Sequence, residues 1–533
     1  MLFDPTIRRA GALVVAALML GAAPSALFAA TPADTLVIAD AIDDIVSLDP
    51  HEAYEFSGLD VINNTYDGLI ELDPTKPGEL VAGLAESWSV ADDGLTYSFK
   101  MKAGLTFSSG NPVRAQDAAY SLQRAVKLDK SPAFILNQFG WTKDTVDSMI
   151  TADGDTVTIK VDKPFAPTFL YNCLTAGVAS IVDEETVKSH EVDGDLGTEW
   201  LKSNSAGTGA YVLKSFKPNE GYVLEARSGY WRGDAKLKRV FMQHIPEAAT
   251  QRLQLEKGDI DIARELTPTD IEGMAGNADI TVQQDVGGQI FYLAFNQKDE
   301  RFKNEHFLNA MRWAVDYQGM VDTFLKGTEV VHQSFLPSGY LGALTDTPYS
   351  LDVEKAKAEL AASGITDTTI KLSVRNAADR MDMAQSIQNT FGQIGITVEL
   401  NVGEGAEQLK EYRARQHQAT LQSWGPDYPD PNTNSSTFAE NPDNSDEGKN
   451  TGYLAWRNAY DPGAMTALSQ AAVLEKDPAK RVAMYEELQK TSRETSPFIV
   501  MFQIGYQTGM RATVKDFYTG GATDSVAYWL VSK

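Results

Sequence analysis

The chain is nearly free of cysteine, since Cys173 is the one thiol among its 533 residues. One thiol cannot form an intramolecular disulfide or a zinc or iron–sulfur site that needs several cysteines. The six histidines are scattered: no two lie four residues apart, and the H-E-x-x-H pattern is missing. The sequence therefore gives little support for a metal centre, and Cys173 is interpreted as a small buried residue.

Basic residues are also in deficit, because Lys and Arg number 47 against 73 Asp and Glu, for a net charge of −26. Such a balance argues against nucleic acid or an anionic membrane surface as the main partner. It keeps a protein soluble and favours a monomer, but it does not identify a ligand.

Signatures of common hydrolases and nucleotide-binding proteins are missing as well. There is no G-x-S-x-G elbow, and Gly207-Thr208-Gly209 is not followed by the Gly-Lys-Ser/Thr of a phosphate loop. The acidic run 443–447 (DNSDE) lacks the spacing of a calcium loop and is interpreted as a solvated segment. A hydrolase with a triad assembled from distant residues stays open, because triads are defined in space.

A long hydrophobic run occurs only near the start of the chain. Arg8 and Arg9 precede an apolar stretch over 10–23, and small residues follow up to Ala30. This layout is typical of a secretory signal peptide, and the apolar stretch is shorter than the about 20 residues of a transmembrane helix. We predict a cleaved signal peptide over 1–30 and a periplasmic mature protein, with a membrane anchor as the alternative.

The rest of the chain alternates strand and helix patterns, and its length suggests about three domains or lobes. Period-two patterns over 95–101 and 156–161 indicate hairpins, so 78–195 is expected to be a separate subdomain. From about residue 237 strands and helices alternate, which predicts mixed α/β lobes with parallel strands. The predicted strands are 35–39, 239–245, 259–264, 289–296, 369–374, 396–401, 418–423 and 498–504, and the predicted helices are 247–257, 305–320, 352–362, 380–393, 463–475 and 478–494.

One segment combines aromatic and acidic side chains in a pattern that favours binding. Residues 423–432 read SWGPDYPDPN directly after a predicted strand, inside a stretch (425–450) that is expected to be loop throughout. Ligands of α/β folds bind beyond the carboxyl ends of strands, and prolines stiffen a loop placed there. A carboxylate with a neighbouring aromatic ring suits a ligand with an ammonium group. The alternative is a solvated turn capped by aspartates.

Several short motifs follow one another along the chain in a specific order. They are 47–51 (SLDPH), 65–72 (TYDGLIEL), 84–121, 206–211 (AGTGAY), 252–263, 295–316 and 424–432. Each motif is weak alone, but together they resemble the peptide/nickel family of solute-binding proteins, which serve ATP-driven importers. The resemblance covers essentially the whole chain after residue 30.

This resemblance implies an α/β, two-lobe periplasmic-binding-protein fold, a flytrap with an extra subdomain inserted in the first lobe. The first lobe is expected to hold 31–290, with 78–195 inserted, and to be completed by 505–533. The second lobe is expected to hold 291–504. Ligand would close the lobes, and permease subunits of an ABC importer would recognise the closed form. No cofactor is implied, and the protein is expected to be a monomer.

The resemblance also implies roles for residues of the aromatic and acidic loop. Asp427 lies where peptide-binding members have the carboxylate that pairs with the ligand's α-amine. Trp424 and Tyr428 belong to the same motif. Arg375 follows the predicted strand 369–374, near the arginine with which some dipeptide binders hold the ligand carboxylate; a surface arginine is the alternative.

Residues of the early loop, Tyr54, Glu55 and Phe56, are expected to face the cleft as they do in relatives. Glu55 would favour a more cationic ligand if it points inward rather than to solvent. The loop 402–408 (VGEGAEQ) lacks the aromatic that many dipeptide binders have there, so a roomier pocket is expected.

The leading prediction is an extracytoplasmic binding protein that captures short peptides or peptide-like amines for an ABC importer. A binding protein for an opine, a betaine or another nitrogenous metabolite is the alternative. A secreted hydrolase, or a chaperone-like secreted protein, would belong to another class, and no motif supports the hydrolase.

Overall fold

The computed structural model describes residues 31–76, 78–519 and 526–533. The predicted signal peptide, 1–30, lies outside these residues. Within the three described ranges, every helix is too short or too polar to cross a bilayer.

The regular elements alternate between strands and helices along most of the chain. In chain order the strands are β1 (Thr35–Asp40), β2 (Ile70–Leu72), β3 (Leu80–Ala82), β4 (Ala85–Val90), β5 (Thr96–Met101), β6 (Ile150–Asp153), β7 (Thr156–Lys160), β8 (Tyr211–Lys217), β9 (Gly221–Ala226), β10 (Arg239–His244), β11 (Ile262–Ala263), β12 (Ile280–Phe295), β13 (Glu329–Val331), β14 (Thr369–Arg375), β15 (Thr397–Gly403), β16 (Ala419–Trp424) and β17 (Phe498–Arg511). The helices are α1 (Phe56–Thr65), α2 (Ala115–Leu128), α3 (Phe134–Asn137), α4 (Val146–Met149), α5 (Pro167–Cys173), α6 (Glu184–Ser189), α7 (Thr198–Leu201), α8 (Ala248–Lys257), α9 (Pro268–Gly273), α10 (Glu305–Ala314), α11 (Tyr317–Asp322), α12 (Val353–Ser363), α13 (Ala378–Ile394), α14 (Gly405–Arg413), α15 (Asn432–Ala439), α16 (Leu454–Arg457), α17 (Ala464–Ala472) and α18 (Pro478–Thr495).

An 11-stranded mixed sheet runs through the described chain, and its two halves share two long strands. These are β12 and β17, which pair antiparallel with each other. Strands β16, β14 and β15 extend the sheet on the β12 side, and β11, β1, β10, β9 and β8 extend it on the β17 side. The predicted α/β two-lobe fold is confirmed.

The two shared strands are longer than predicted. β12 begins at Ile280 instead of 289, and β17 runs to Arg511 instead of ending at 504. The additional residues are mostly polar or glycine, so a search for apolar runs does not find them. They form strand because the extension of β12 pairs with the extension of β17. A register shift between Val286 and Ile290 interrupts the pairing as a bulge. The side chain of Gln503 donates to the carbonyl of Gly287 inside this bulge (2.8 Å).

The first half of the sheet contains the predicted βαβ unit. β1 lies parallel to both β10 and β11, and α8 is in the connection between those two strands. All residues of β1 are buried, as expected for a parallel strand covered on both faces. β11 is shorter than the predicted strand 259–264, since only Ile262 and Ala263 pair.

A separate antiparallel sheet, in the order β4-β5-β7-β6, lies within the range predicted for an inserted subdomain. Side chains at alternate positions of its strands, such as Tyr97, Phe99, Val157 and Ile159, are fully buried. They belong to a core drawn almost entirely from 69–181. The proposed boundaries of the subdomain stay a prediction.

In the second half, β14 is parallel to β15 and to β16. Helices α12 and α13 end at Gly364 (φ 67°) and Gly395 (φ 95°), as predicted from the two glycines. Glycine takes this left-handed conformation without steric cost. The predicted helix 305–320 is instead divided into α10 and α11, because Asp316 caps the second helix by accepting from the Gly319 N–H (3.0 Å).

The expectation that 425–450 is loop throughout is wrong, since residues 432–439 form α15. The sequence NTNSSTFA has poor helix propensity, because Asn, Ser and Thr compete with the backbone for hydrogen bonds. Burial compensates here: α15 packs against α17 and α18, and the hydroxyls of Ser435 and Ser469 are hydrogen bonded at 3.0 Å. This helix fixes the end of the loop that contains the predicted site residues.

Candidate functional site

The loop after β16 starts in the middle of the large sheet and is held at both ends. β16 pairs with β12 and ends at Trp424. The backbone N–H of Asp427 donates to the hydroxyl of Thr433 (2.9 Å), and that of Asn432 donates to the carboxylate of Asp430 (3.0 Å). These hydrogen bonds hold the backbone of the loop in place.

Asp427 contacts the early loop of the chain. The Tyr54 hydroxyl donates a hydrogen bond to Asp427 Oδ1. Burial raises the pKa of the Asp427 carboxyl, and the hydrogen bond from Tyr54 opposes this shift. Burial and then the charge of Asp427 raise the pKa of the Tyr54 hydroxyl, so that it stays a donor. Among the described residues no cation pairs with Asp427, and this carboxylate can accept one.

The early loop presents two exposed aromatic rings beside Asp427. Phe56 is 51% exposed, and its Cζ lies 3.5 Å from the position that a Cβ on Gly425 would take. The ring of Tyr54 packs edge-on against Phe134, with ring centroids 6.3 Å apart. Glu55 accepts the N–H of Tyr54 (3.3 Å), a bond within its own loop. The structure thus brings Tyr54 and Phe56 to the Asp427 loop.

Trp424 and Tyr428 flank the aspartate but differ in their surroundings. The indole Nε1 of Trp424 is buried and has no hydrogen-bond partner among the described atoms. Tyr428 is 6% exposed and packs against Phe169, with ring centroids 6.1 Å apart. Its hydroxyl accepts a hydrogen bond from Asn432 (3.1 Å). Tyr428 is therefore part of a packed core, whereas Trp424 keeps a free donor.

Two arginines lie close to the end of β14. Arg375 is exposed, and its Nε is 3.0 Å from the position of a Cβ on Gly405. The Arg380 side chain is only 12% exposed, lies 4.2 Å from the Phe291 ring centroid, and donates to Ser423 Oγ (3.1 Å). Its Nη1 is buried without a partner in the described part of the chain. The sequence analysis named Arg375 as a candidate and did not name Arg380. The one sequence feature that could have pointed to Arg380 is its position in the first turn of the helix after β14.

Asp430, the second carboxylate of the loop, is engaged in a buried ion pair. Both its oxygens accept from Arg481 (2.6 and 3.0 Å), and both side chains are almost completely buried. The side-chain amide of Asn172 also donates to Asp430 (3.0 Å), and Arg481 donates to the hydroxyl of Thr168 (3.2 Å). This cluster ties α5 to the Asp427 loop, so Asp430 has a structural role.

The described residues contain no group of three or more His, Cys, Asp or Glu side chains arranged to hold a metal ion. His51, at the edge of the early loop, is completely buried and hydrogen bonded to the carbonyl of Ser180 (3.1 Å). Burial lowers the pKa of His51 to about 4, and the nearby Arg124 contributes to the same shift. His51 is therefore a neutral packing residue.

A family profile for bacterial extracellular solute-binding proteins, family 5 Middle, matches residues 79–446. The chain is also 30% identical to the probable D,D-dipeptide-binding periplasmic protein DdpA of Escherichia coli strain K12. That match extends over 495 residues and covers 92% of each chain.

Two solved structures are similar to this chain over nearly their whole lengths. HbpA2 from Haemophilus parasuis is 23% identical with a TM-score of 0.78, covering 93% of this chain and 99% of that one. The periplasmic binding protein DppA from Helicobacter pylori, in complex with the peptide STSA, is 22% identical with a TM-score of 0.74, covering 93% and 98%. At these identities the similarity shows the fold. With the profile match, the identity to the first relative and the order of its motifs, the chain belongs to the bacterial extracellular solute-binding proteins of family 5, the peptide/nickel family.

Proposed function

We propose that this protein captures short peptides or peptide-like amines and delivers them to an ABC importer. The observation that supports this most directly is the Asp427 carboxylate. It is half-buried, it accepts from the Tyr54 hydroxyl, and no described cation neutralises it. A ligand ammonium group would supply the missing charge through a charge-assisted hydrogen bond.

Groups around the loop with unused hydrogen-bonding capacity match the polar groups of a short peptide, and one of them, Arg380, also forms an ion pair with Asp379 (3.2 Å). Asp427 takes the α-amine, and the exposed rings of Tyr54 and Phe56 border it. The free indole N–H of Trp424 is available to a peptide carbonyl. The partnerless N–H group of Arg380 is suited to the ligand carboxylate, because a buried donor without an acceptor is costly.

The remaining predicted residues have smaller roles in this proposal. Arg375 is exposed and borders the entrance near Gly405. Tyr428 supports the loop from the packed side, and Glu55 stays at the rim of the early loop.

The relatives support the peptide class. One is described as a D,D-dipeptide-binding periplasmic protein, and one solved structure contains the peptide STSA. In our proposal this protein also acts in the periplasm after cleavage of 1–30. It is monomeric, and its lobes (31–290 with 505–533, and 291–504) close on the ligand before meeting the permease subunits.

A thermal-shift screen of protein stripped of carried ligand by mild unfolding and refolding tests the proposal. The panel contains di- to pentapeptides, the same peptides N-acetylated, opines and betaines. A ligand at 100 times its dissociation constant should stabilise the protein by about 2.7 kcal/mol. We expect stabilisation by free-amine peptides and little by their acetylated forms, because acetylation removes the positive charge that Asp427 pairs with.

Other outcomes would change the conclusion in defined ways. Stabilisation by an opine or a betaine, with no effect from any peptide, would contradict the peptide assignment and leave the family unchanged. Equal stabilisation by free and acetylated peptides would keep peptides as ligands and remove Asp427 from amine recognition.

A further inference from the structure

A cavity of ≈ 400 Å³ lies near the Asp427 loop, where the first half of the chain faces strands β13 and β17. Its walls come from the end of β1, the start of α1, the residues after β11, and the two strands. The charged side chains that line it are Asp40, Asp44, Asp60, Arg264, Glu265 and Glu329.

The charges of this lining are unbalanced. Arg264 is its basic residue, and it is already paired, with Nη1 2.9 Å from Asp60 Oδ2 and 3.2 Å from Asp40 Oδ2. The other three carboxylates of the lining form no ion pair with any described residue. A cation entering the cavity would meet an excess of negative charge.

A second, independent feature of the lining is a buried hydrogen-bond acceptor without a donor among the described residues. Gln507 is 6% exposed, and its Oε1 is buried with no hydrogen-bond partner in the described ranges. Gly327 makes room for this side chain, because a Cβ at that position would lie 1.3 Å from Gln507 Nε2. A buried acceptor of this kind is normally satisfied, so a ligand N–H group is the expected partner.

The cavity and the proposed peptide site share Phe56 as a border. Phe56 lines the cavity and also lies against Gly425, two residues before Asp427. From this arrangement we infer that the cavity receives a second cationic group, the ammonium or guanidinium of a basic side chain, so that the preferred ligand is a peptide or peptide-like amine with two positive charges. The inference rests on the proposed function and adds to it the charge class of the ligand.

Proton uptake and release provide a further readout. Burial raises the pKa of the Glu329 carboxyl to about 7, and burial also raises the pKa of Asp40. A bound cation would lower both pKa values and release protons near neutral pH. The groups that face these two carboxylates are Arg264, Glu265 and Asp60 around Asp40, and Thr328, Asp379 and Arg380 around Glu329.

Calorimetric titration with matched dipeptides tests the inference. The probes are Ala-Lys and Lys-Ala, compared with the same dipeptides in which uncharged norleucine replaces lysine, and agmatine, which has two cationic groups but no peptide bond. We expect at least one lysine peptide to bind about tenfold more tightly than its norleucine counterpart, with proton release that varies with buffer ionisation enthalpy.

Substitutions of exposed residues are used because they can change the charge of the cavity without disturbing the fold. The double substitution Asp44→Asn with Glu265→Gln removes two lining charges, and we expect it to abolish most of the preference for lysine. Asp43→Asn changes a neighbouring exposed charge outside the lining and should leave the preference intact.

The outcomes distinguish this inference from the proposed function. Equal affinity for lysine and norleucine peptides would overturn the inference while leaving peptide binding in place. A preference that survives in the double variant would also overturn it. If no peptide binds but agmatine stabilises the wild type more than the double variant, the cavity assignment holds and the peptide proposal fails. If neither the peptides nor agmatine bind, the cavity inference and the proposed peptide-binding function are both contradicted.

Discussion

The hydroxyl of Tyr54 donates a hydrogen bond to the carboxylate of Asp427, and so joins two loops that lie 373 residues apart in the sequence. One loop leads into α1 in the first half of the chain, and the other follows β16 in the second half. A ligand that pairs with Asp427 therefore also touches residues of the early loop. Contact with both sides is what shifts an open–closed equilibrium toward the closed form.

Asp427→Asn should weaken the binding of free-amine peptides by about 1.5–3 kcal/mol, because a charge-assisted hydrogen bond becomes a neutral one. Isothermal titration calorimetry measures the change directly. N-acetylated peptides are the control, since they should bind the variant and the wild type alike. Unchanged affinity for free-amine peptides would remove Asp427 from the binding site.

Tyr54→Phe should shift the pH dependence of binding. The Tyr54 hydrogen bond lowers the pKa of Asp427 against the effect of burial, so its loss raises that pKa further. Because an ammonium ligand needs the ionised carboxylate, affinity rises as the pH passes the pKa of Asp427. The rise should occur at higher pH in the variant, measured by titration between about pH 4 and 8.

Tyr120→Phe is a matched control for the tyrosine variant. It removes a tyrosine hydroxyl that has no hydrogen-bond partner among the described atoms. Its pH profile of binding should match the wild type. An identical midpoint for Tyr54→Phe and the wild type would show that the hydroxyl does not tune Asp427.

Arg380→Gln should weaken the binding of peptides with a free C-terminal carboxylate by about 10- to 100-fold, since a hydrogen bond between charged partners is lost. C-terminal peptide amides should be affected much less. Arg375→Gln is the matched control, because it removes the same charge from an exposed position near the same strand end. If Arg375→Gln reduces the affinity for these peptides more than Arg380→Gln does, the residue that contacts the ligand carboxylate is Arg375.

Asp430→Ala should destabilise the protein by about 3–5 kcal/mol, because it leaves the buried Arg481 guanidinium without its anion. Asn172→Ala keeps the ion pair and removes one hydrogen bond to it, so a loss of about 1 kcal/mol is expected. Denaturant unfolding measures both. A loss below 1 kcal/mol in Asp430→Ala would contradict a structural role for the pair.

Glu329→Gln should change how stability depends on pH. The pKa of Glu329 is raised to about 7 in the folded protein, above its value of 4.5 in the unfolded chain. The stability that this group contributes is therefore present at low pH and lost as the pH rises toward 7. Relative to the wild type, the variant should gain up to about 3 kcal/mol between about pH 4.5 and 7.5.

The control for this pH effect is Glu354→Gln, which alters a glutamate whose side chain is 86% exposed. Its stability difference from the wild type should stay constant across the same pH range. A constant difference for Glu329→Gln as well would mean that the pKa of Glu329 is not raised by folding.

Elements with strong periodicity or clear end signals were predictable from the sequence. The hairpin of β4 and β5 shows period-two alternation, and α12 and α13 end at glycines. Helix α15 was not predictable, because its stability comes from burial of Asn, Ser and Thr against other helices. The extensions of β12 and β17 are strands only because they pair with each other.

The candidate site likewise has residues that the sequence indicates and contacts that only the fold creates. The family resemblance made Asp427, Tyr54 and Phe56 candidate site residues, and the structure brings these three together. Sequence reasoning could not find the pairing of Asp430 with Arg481, 51 residues later, because nothing local connects them. The acidic cavity was missed for the same reason, since its lining comes from five segments of the chain.

The bulge between β12 and β17 limits how the halves of the sheet can move. The two strands pair on both sides of Gly287, and the side-chain amide of Gln503 bridges the interruption. Because the strands pair on both sides of the interruption, we expect them to bend there together if the lobes close as proposed. Distance probes placed at any two points across the cleft should then report the same transition, with the same rate and the same midpoint.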